Sequence, residues 1–373
     1  MSFEYNEMMA STQANIAVET LKSIYRKRKS FVISPASLSI ALAMAFVGSE
    51  GETKEVLKRF LGEDSCMEDI LKFYKNIQEK IASKSDTMFK CSNKLYLQSD
   101  MEVEKKFMDD INKYFQGQFD TIDFQNVQNT IKNINTFVSN STNNLINNVV
   151  NVDDIDIETR LFLINVLYFK GEWLYSFDKI FTKEEIFYLN ENETKMVPMM
   201  MRKGDYLYYE SDKEQFIMIQ YDNLDIFLAI NLPKEKNNFN EYVEDFSGQR
   251  LCALIELATR QELKLYLPKF KTEYSVNLNS TLKELGMDSC LSSDADFSGI
   301  SKKEKLSINK VLQKTYINIS EEGTEAAAAT TVKMNRCRMP VLLSQEVIFR
   351  ADHSFIYHIA DRNGVIYFSG IFQ

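Results

Sequence analysis

Only two residues of this chain are imidazoles, His353 and His358, and they lie five apart in one late segment. A hydrolase built on a histidine base needs that imidazole beside a nucleophile and a group that orients it. Two closely spaced histidines offer little room for such a set, and a structural role suits both. They do not repeat the HExxH spacing of a zinc enzyme, no CxxC pair occurs, and neither GxxxxGK[ST] nor GxGxxG supplies a phosphate cradle. The 53 acidic residues are too many for spacing to single out a catalytic pair. Cys66, Cys91, Cys252, Cys290 and Cys337 are odd in number and scattered, which fits reduced thiols better than a disulfide framework. The chain reads as no enzyme, with no metal and no cofactor. A heparin-like cofactor is not expected either, because Lys72, Lys75, Lys80 and Lys84 alternate with acidic residues.

Unusual chemistry is concentrated instead at 321–340. Glu321, Glu322, Gly323, Thr324, Glu325, Ala326, Ala327, Ala328, Ala329 and Thr330 are followed by Arg336, Cys337, Arg338 and Pro340. Two readings compete for the alanines. They could form a short exposed helix, since Ala is the best helix former, yet five residues fall below the length at which an isolated helix holds in water. Alternatively, they are a loop of small side chains, hinged at Gly323, that can slide between existing strands where larger ones would clash.

The remaining sequence must position this segment. Apolar residues make up 45% and charged residues 26%, with only 12 Gly and 5 Pro, which is a globular composition. The net charge of −9 is spread over short mixed runs, so no basic face is offered to nucleic acid or an anionic membrane. The longest apolar stretch, 36–47, is interrupted by Ser37 and Ser39 and falls short of the roughly 20 residues a membrane span needs. Residues 1–14 lack the basic-then-apolar pattern of a secretory signal. The expected address is therefore the cytoplasm, with unconventional secretion left open. Four Asn-X-Ser/Thr matches, at Asn140, Asn192, Asn279 and Asn318, read as chance in an Asn-rich chain.

Helical periodicity runs over 12–25, ending in a basic run at 26–29, then over 35–47, where Gly48 and Gly51 supply the stop, and over 67–81 and 101–115. Residues 126–151 read as an Asn-rich helix or loop. Strand patterns cover 90–97, 161–169, 216–220, 226–231, 262–267, 315–319, 355–359 and 365–372. Helices come early and strands late, with no linker or repeat, so one α+β domain spanning 1–373 is expected.

The 321–330 segment resembles the proximal hinge of inhibitory serpins. The resemblance extends along the chain: 31–37 with Gly48 and Thr53, then 165–173 with Phe177, Thr182, Phe187 and 197–200, then 267–270, 295–299, 352–355 and 368–370. It is to the inhibitory, intracellular ovalbumin-like type without a signal peptide. It implies a single domain of three β-sheets and about nine helices with an exposed reactive-centre loop at about 321–345. Ser34, Ser37 and Asn165 resemble members of the polar cluster, the shutter, beneath the point where the main sheet opens. Gln313 stands there in place of the family's usual His, keeping an amide that donates and accepts but losing a titratable ring. Trp173 and Lys269 match the breach, where insertion begins, with Lys269 expected to pair with Glu321; for Trp173 a plain core role suits equally. Further departures are Ser30 for Asn, Phe137 for Trp, Leu291 for Phe and Ser354 for Pro.

The activity implied is inhibition of a trypsin-like or chymotrypsin-like serine protease by a monomer that forms a covalent complex. A second partner class is a cysteine protease, through the Cys337 thiol; a non-inhibitory carrier or chaperone is the alternative. Inserted as a strand, the hinge would bury Thr324, Ala326, Ala328 and Thr330, all small and uncharged, and leave Glu325 in solvent. The family's usual spacing from Glu321 puts the scissile bond between Cys337 and Arg338. A shift of one residue would present Arg336 or Arg338 instead, and the register stays open.

Overall fold

A computed structural model describes residues 7–25, 29–83, 89–142, 144–222, 225–324 and 346–373. Its first third is mostly helical: α1 (Glu7–Tyr25), α2 (Pro35–Val47), α3 (Gly51–Gly62), α4 (Met67–Ser83), α5 (Lys105–Phe115) and α6 (Val127–Ser141). Four short helices follow, α7 (Phe239–Asp245), α8 (Gly248–Leu257), α9 (Asn279–Glu284) and α10 (Asp288–Leu291). Helix α2 is buried on every side. Its start is fixed by Ser34, whose hydroxyl accepts the Ser37 N–H, and by Pro35 in the first turn, where no N–H is needed. Of the two glycines expected to stop this helix, Gly48 is its C-cap, whereas Gly51 opens α3 at φ +54, a conformation that a β-carbon would strain.

The strands are β1 (Phe31–Ile33), β2 (Phe89–Gln98), β3 (Phe119–Ile122), β4 (Leu161–Phe169), β5 (Gly171–Glu172), β6 (Lys183–Tyr188), β7 (Thr194–Glu210) and β8 (Glu214–Gln220). They continue with β9 (Ile226–Pro233), β10 (Thr259–Pro268), β11 (Phe270–Asn277), β12 (Lys310–Ile319), β13 (Gly323–Thr324), β14 (Val347–Arg350), β15 (Phe355–Asp361) and β16 (Ile366–Phe372). Counted by hydrogen bonding they make two sheets rather than three. One is ordered β1-β16-β15-β9-β8-β7-β10-β14 with β6 also on β7; the other is β3-β2-β4-β12-β13-β5 with β11 on β12. The count falls because β7 is 17 residues long: Thr194 to Met199 pair with β6, Met199 to Tyr208 with β10, and Leu207 to Glu210 with β8. One continuous strand thus links β6, β10 and β8 in a single sheet. The described residues hold ten α-helices, α9 and α10 being short pieces with no amphipathic pattern of their own.

The second sheet matters most for the hinge. Strand β4, LFLINVLYF, is buried along its whole length and lies antiparallel to β2 and parallel to β12, as continuous apolar strands do at the centre of a covered sheet. Its odd-numbered residues Leu161, Leu163, Leu167 and Phe169 face the main core with α2, while Phe162, Ile164, Val166 and Tyr168 pack under α6.

Candidate sheet-opening site

Three buried amides form a row across this sheet, because Asn93 on β2 is in register with Asn165 on β4, and Asn165 with Gln313 on β12. Beneath them lies the start of α2. Gln313 accepts from the Ser34 N–H at 2.8 Å and donates to the Ser34 carbonyl at 2.9 Å, so one side chain completes both backbone groups of the helix cap. Ser34 Oγ donates to the Tyr367 carbonyl on β16 at 2.8 Å, and Ser37 Oγ donates to Asn93 Oδ1. Four elements therefore meet through two hydroxyls and two amides. Asn165, between Asn93 and Gln313, is the exception: neither its Oδ1 nor its Nδ2 has a hydrogen-bond partner among the described residues. Leaving a buried polar group unpaired costs about 1–3 kcal/mol.

Asn93 is absent from the sequence-based set. Its signal was alternation: Phe89, Leu95 and Leu97 share its parity and are buried, so a polar Asn93 among them needed a partner.

The second cluster lies beyond the C-terminal end of β4. Carbonyls of three consecutive residues are gripped by one short segment: Trp173 Nε1 donates to Ser320 O at 2.9 Å, Phe177 N to Glu321 O at 2.7 Å and Trp173 N to Glu322 O at 3.0 Å. The indole is buried and stacks on Tyr221, with centroids 4.4 Å apart and rings 16° from parallel. Trp173 is thus both a core aromatic and a hydrogen-bond donor to the backbone at Ser320 and Glu322. Glu321 is 5% exposed; its Oε2 lies 3.0 Å from Lys269 Nζ and its Oε1 accepts from Thr182 Oγ1 at 3.0 Å. Burial pushes the Glu321 carboxyl upward, but hydrogen bonds from Lys269, the backbone and Thr182, with the Lys269 charge, together hold it below the ordinary glutamate value. Glu322 reaches Lys179 at 2.7 Å on the outside.

Residues 321–324 are not exposed loop. Gly323 and Thr324 form β13, which is inserted between β12 and β5: Thr324 is opposite Ile319 on one side and Gly171 on the other, and Gly323 is opposite Glu172. Gly323 has φ +139, and a β-carbon there would lie 2.1 Å from the Gly171 carbonyl oxygen. Only glycine fits. Thr324 is fully buried, its hydroxyl 3.0 Å from the Tyr221 hydroxyl. Below this point the sheet is closed, β4 and β12 pairing from Phe162 with Lys310 to Tyr168 with Tyr316. The sheet is parted at one end, and two hinge residues occupy the gap. Glu325, Ala326, Ala327, Ala328, Ala329, Thr330, Arg336, Cys337 and Arg338 lie outside the described residues.

Both histidines are built into the core. His353 bonds Asp352 Oδ1 and the Pro233 carbonyl at 2.8 and 2.7 Å. His358 is buried against Phe246, 3.0 Å from Ser369 Oγ, and burial lowers its pKa to about 3. Cys66, Cys252 and Cys290 are free thiols, and burial raises Cys290 to about 11. Among the described residues no group of His, Cys, Asp and Glu could hold a metal ion, and no helix is long and apolar enough to cross a membrane.

The sheet is thus parted at one end by β13, which continues the chain from β12. The family described as serpin (serine protease inhibitor) matches residues 11–373, so the chain belongs to the serpin family. It is 32% identical over 357 residues to antichymotrypsin-2 of Bombyx mori, covering 92% of each chain. It is 30% identical to serpin B6 of Pongo abelii, covering 97% of this chain and 98% of that one. Among solved structures, the native state of the thermophilic serpin Tengpin superposes with a TM-score of 0.89 at 29% identity, covering 100% of this chain and 95% of the other.

Proposed function

We propose that this chain is a suicide-substrate inhibitor of serine endopeptidases, acting as a single-domain monomer of the cytoplasm with no cofactor. The observation that carries this reading is the register of β13. Continued past Thr324, the same pairings bring Ala326 between Ile317 and Phe169, Ala328 between Thr315 and Leu167, and Thr330 between Gln313 and Asn165. These inward positions are small or hydroxylated. Thr330 would bring its hydroxyl to Asn165, whose amide has no partner while β4 and β12 are closed. Insertion thus adds a row of backbone hydrogen bonds and supplies a missing polar contact, which is the direction expected if the uninserted form is a kinetic trap.

In the mechanism, a target's serine oxygen attacks the carbonyl of the scissile bond. The bond's nitrogen leaves as a new amino terminus, and the inhibitor stays attached as an ester. The freed hinge then inserts between β4 and β12 and carries the tethered protease with it. Distorting the protease's oxyanion site alone slows deacylation by about 10²–10³. The inhibitor contributes no catalytic residue. The bond lies between Cys337 and Arg338, or one residue to either side, where Arg336 or Arg338 would suit a pocket with a carboxylate at its base. Relatives in Bombyx mori are named antichymotrypsin-2 and antitrypsin, so the proposed targets include both chymotrypsin-like and trypsin-like proteases.

Incubation with trypsin-like and chymotrypsin-like proteases, followed by a denaturing gel, tests the reading. A boiling-resistant complex is expected, and mass spectrometry of the released C-terminal fragment identifies the bond. Cleavage by every protease without complex would overturn inhibition and leave a carrier or chaperone role.

A further inference from the structure

On the other side of the Trp173–Tyr221 stack, a cleft of about 260 Å³ opens between the segment after β5 and strands β7 and β8. Three guanidinium groups from distant parts of the chain line it: Arg202 on β7, Arg260 at the start of β10 and Arg362 in the turn after β15. The protein as a whole is acidic, at −9, yet among the described residues Asp205 is the one carboxylate lining this cleft, and Arg260 engages it at 3.4 Å. Arg202 and Arg362 form no ion pair with a described residue. Aromatic faces hold them instead: Arg202 lies 4.9 Å from the Tyr175 ring centroid and donates to the Tyr206 hydroxyl at 3.0 Å, and Arg362 lies 5.4 Å from the Phe227 centroid. Met218, Ile219 and Phe227 supply an apolar lining. Stacked guanidiniums keep their edge N–H groups available, and those forks match the oxygens of a tetrahedral oxyanion.

We propose that this cleft binds a small organic phosphate monoester, its apolar body against Met218, Ile219 and Phe227 and its oxyanion among Arg202, Arg260 and Arg362. Three guanidiniums against one carboxylate suit a multiply charged head better than a single carboxylate would. The volume is below the roughly 300 Å³ at which drug-sized pockets begin, which limits the body to about one ring. Occupancy has a built-in reporter. Leu174 N donates to Gln220 O at 3.0 Å in the cleft wall, and the neighbouring residues Trp173 and Tyr221 are the stacked pair; Trp173 is the chain's only tryptophan.

The test titrates the full chain with phenyl phosphate, and separately with phenol and with inorganic phosphate, following Trp173 emission and the thermal midpoint. Phenyl phosphate is expected to saturate, to raise the midpoint, and to bind at least tenfold more tightly than either fragment. Arg362→Gln, at an exposed position, is expected to weaken it roughly tenfold with the unliganded midpoint unchanged, as loss of a charge-assisted hydrogen bond does. Arg59→Gln, an exposed arginine elsewhere, controls for net charge and is expected to change nothing. Absence of saturation, inorganic phosphate binding as tightly as the ester, or equal weakening by both substitutions would each overturn the site.

Discussion

Glu321 couples the chain's protonation to the grip on its hinge. Its folded-state pKa lies below the ordinary value of 4.5, so the stabilisation it contributes is fully present above that value and is lost as pH falls through the lower folded value. Glu321→Gln is therefore expected to melt below the wild type at neutral pH, and the gap is expected to close on acidification. Melting curves from neutral to acidic pH check this, and a gap that widens in acid would contradict it. Thr330 makes a second point at the same scale. Thr330→Arg would insert a charge between Asn165 and Gln313, where burying an unpaired ion costs several kcal/mol. The expected product is a substrate: cleaved at the same bond, with the covalent band on a denaturing gel lost.

Strands β4 and β12 are paired from Phe162 with Lys310 to Tyr168 with Tyr316, and the proposed mechanism requires them to separate. Ile164 and Leu312 are opposite one another in register and face the small cluster under α6, away from the amide row. Adjacent strands put such Cα atoms about 4.8 Å apart, within disulfide range. An Ile164→Cys, Leu312→Cys double variant is expected to lose inhibition when oxidised and to regain it with a reductant; inhibition unchanged by oxidation would contradict insertion between these strands. The segment that holds the hinge could be read from Trp173, Lys269 and Glu321, and the polar row from Ser34, Ser37, Asn165 and Gln313, because each carries a distinctive side chain within a resembling motif. Asn93 escaped because a single polar residue in an alternating strand looks like ordinary surface until its parity is checked. Long β7 escaped because Lys203, Gly204 and Asp205 break its pattern midway, although β10 pairs with it straight through that stretch. Burial of Glu321, Gly323 and Thr324 was invisible for a different reason: a Glu-Glu-Gly-Thr run reads as solvent-facing, and Lys269, Thr182 and the Trp173 segment supply the partners that make the burial of Glu321 tolerable.

At the scale of the whole molecule, the sheet is closed along β4 and β12 and parted at one end by Gly323 and Thr324. The proposed mechanism requires a second arrangement of the same sequence, with the uninserted one held by a barrier, the separation of β4 from β12, rather than by being lowest in free energy. On the proposed mechanism, a cut at 336–338 removes the tether that opposes insertion. The measurement that tests this most directly is the melting temperature of the chain before and after a single cut in that segment, with Thr330→Arg treated alongside. A steep rise on cleavage of the wild type, absent in the variant, is the expected result. A cleaved wild type that melts at or below the temperature of the intact chain would contradict the account.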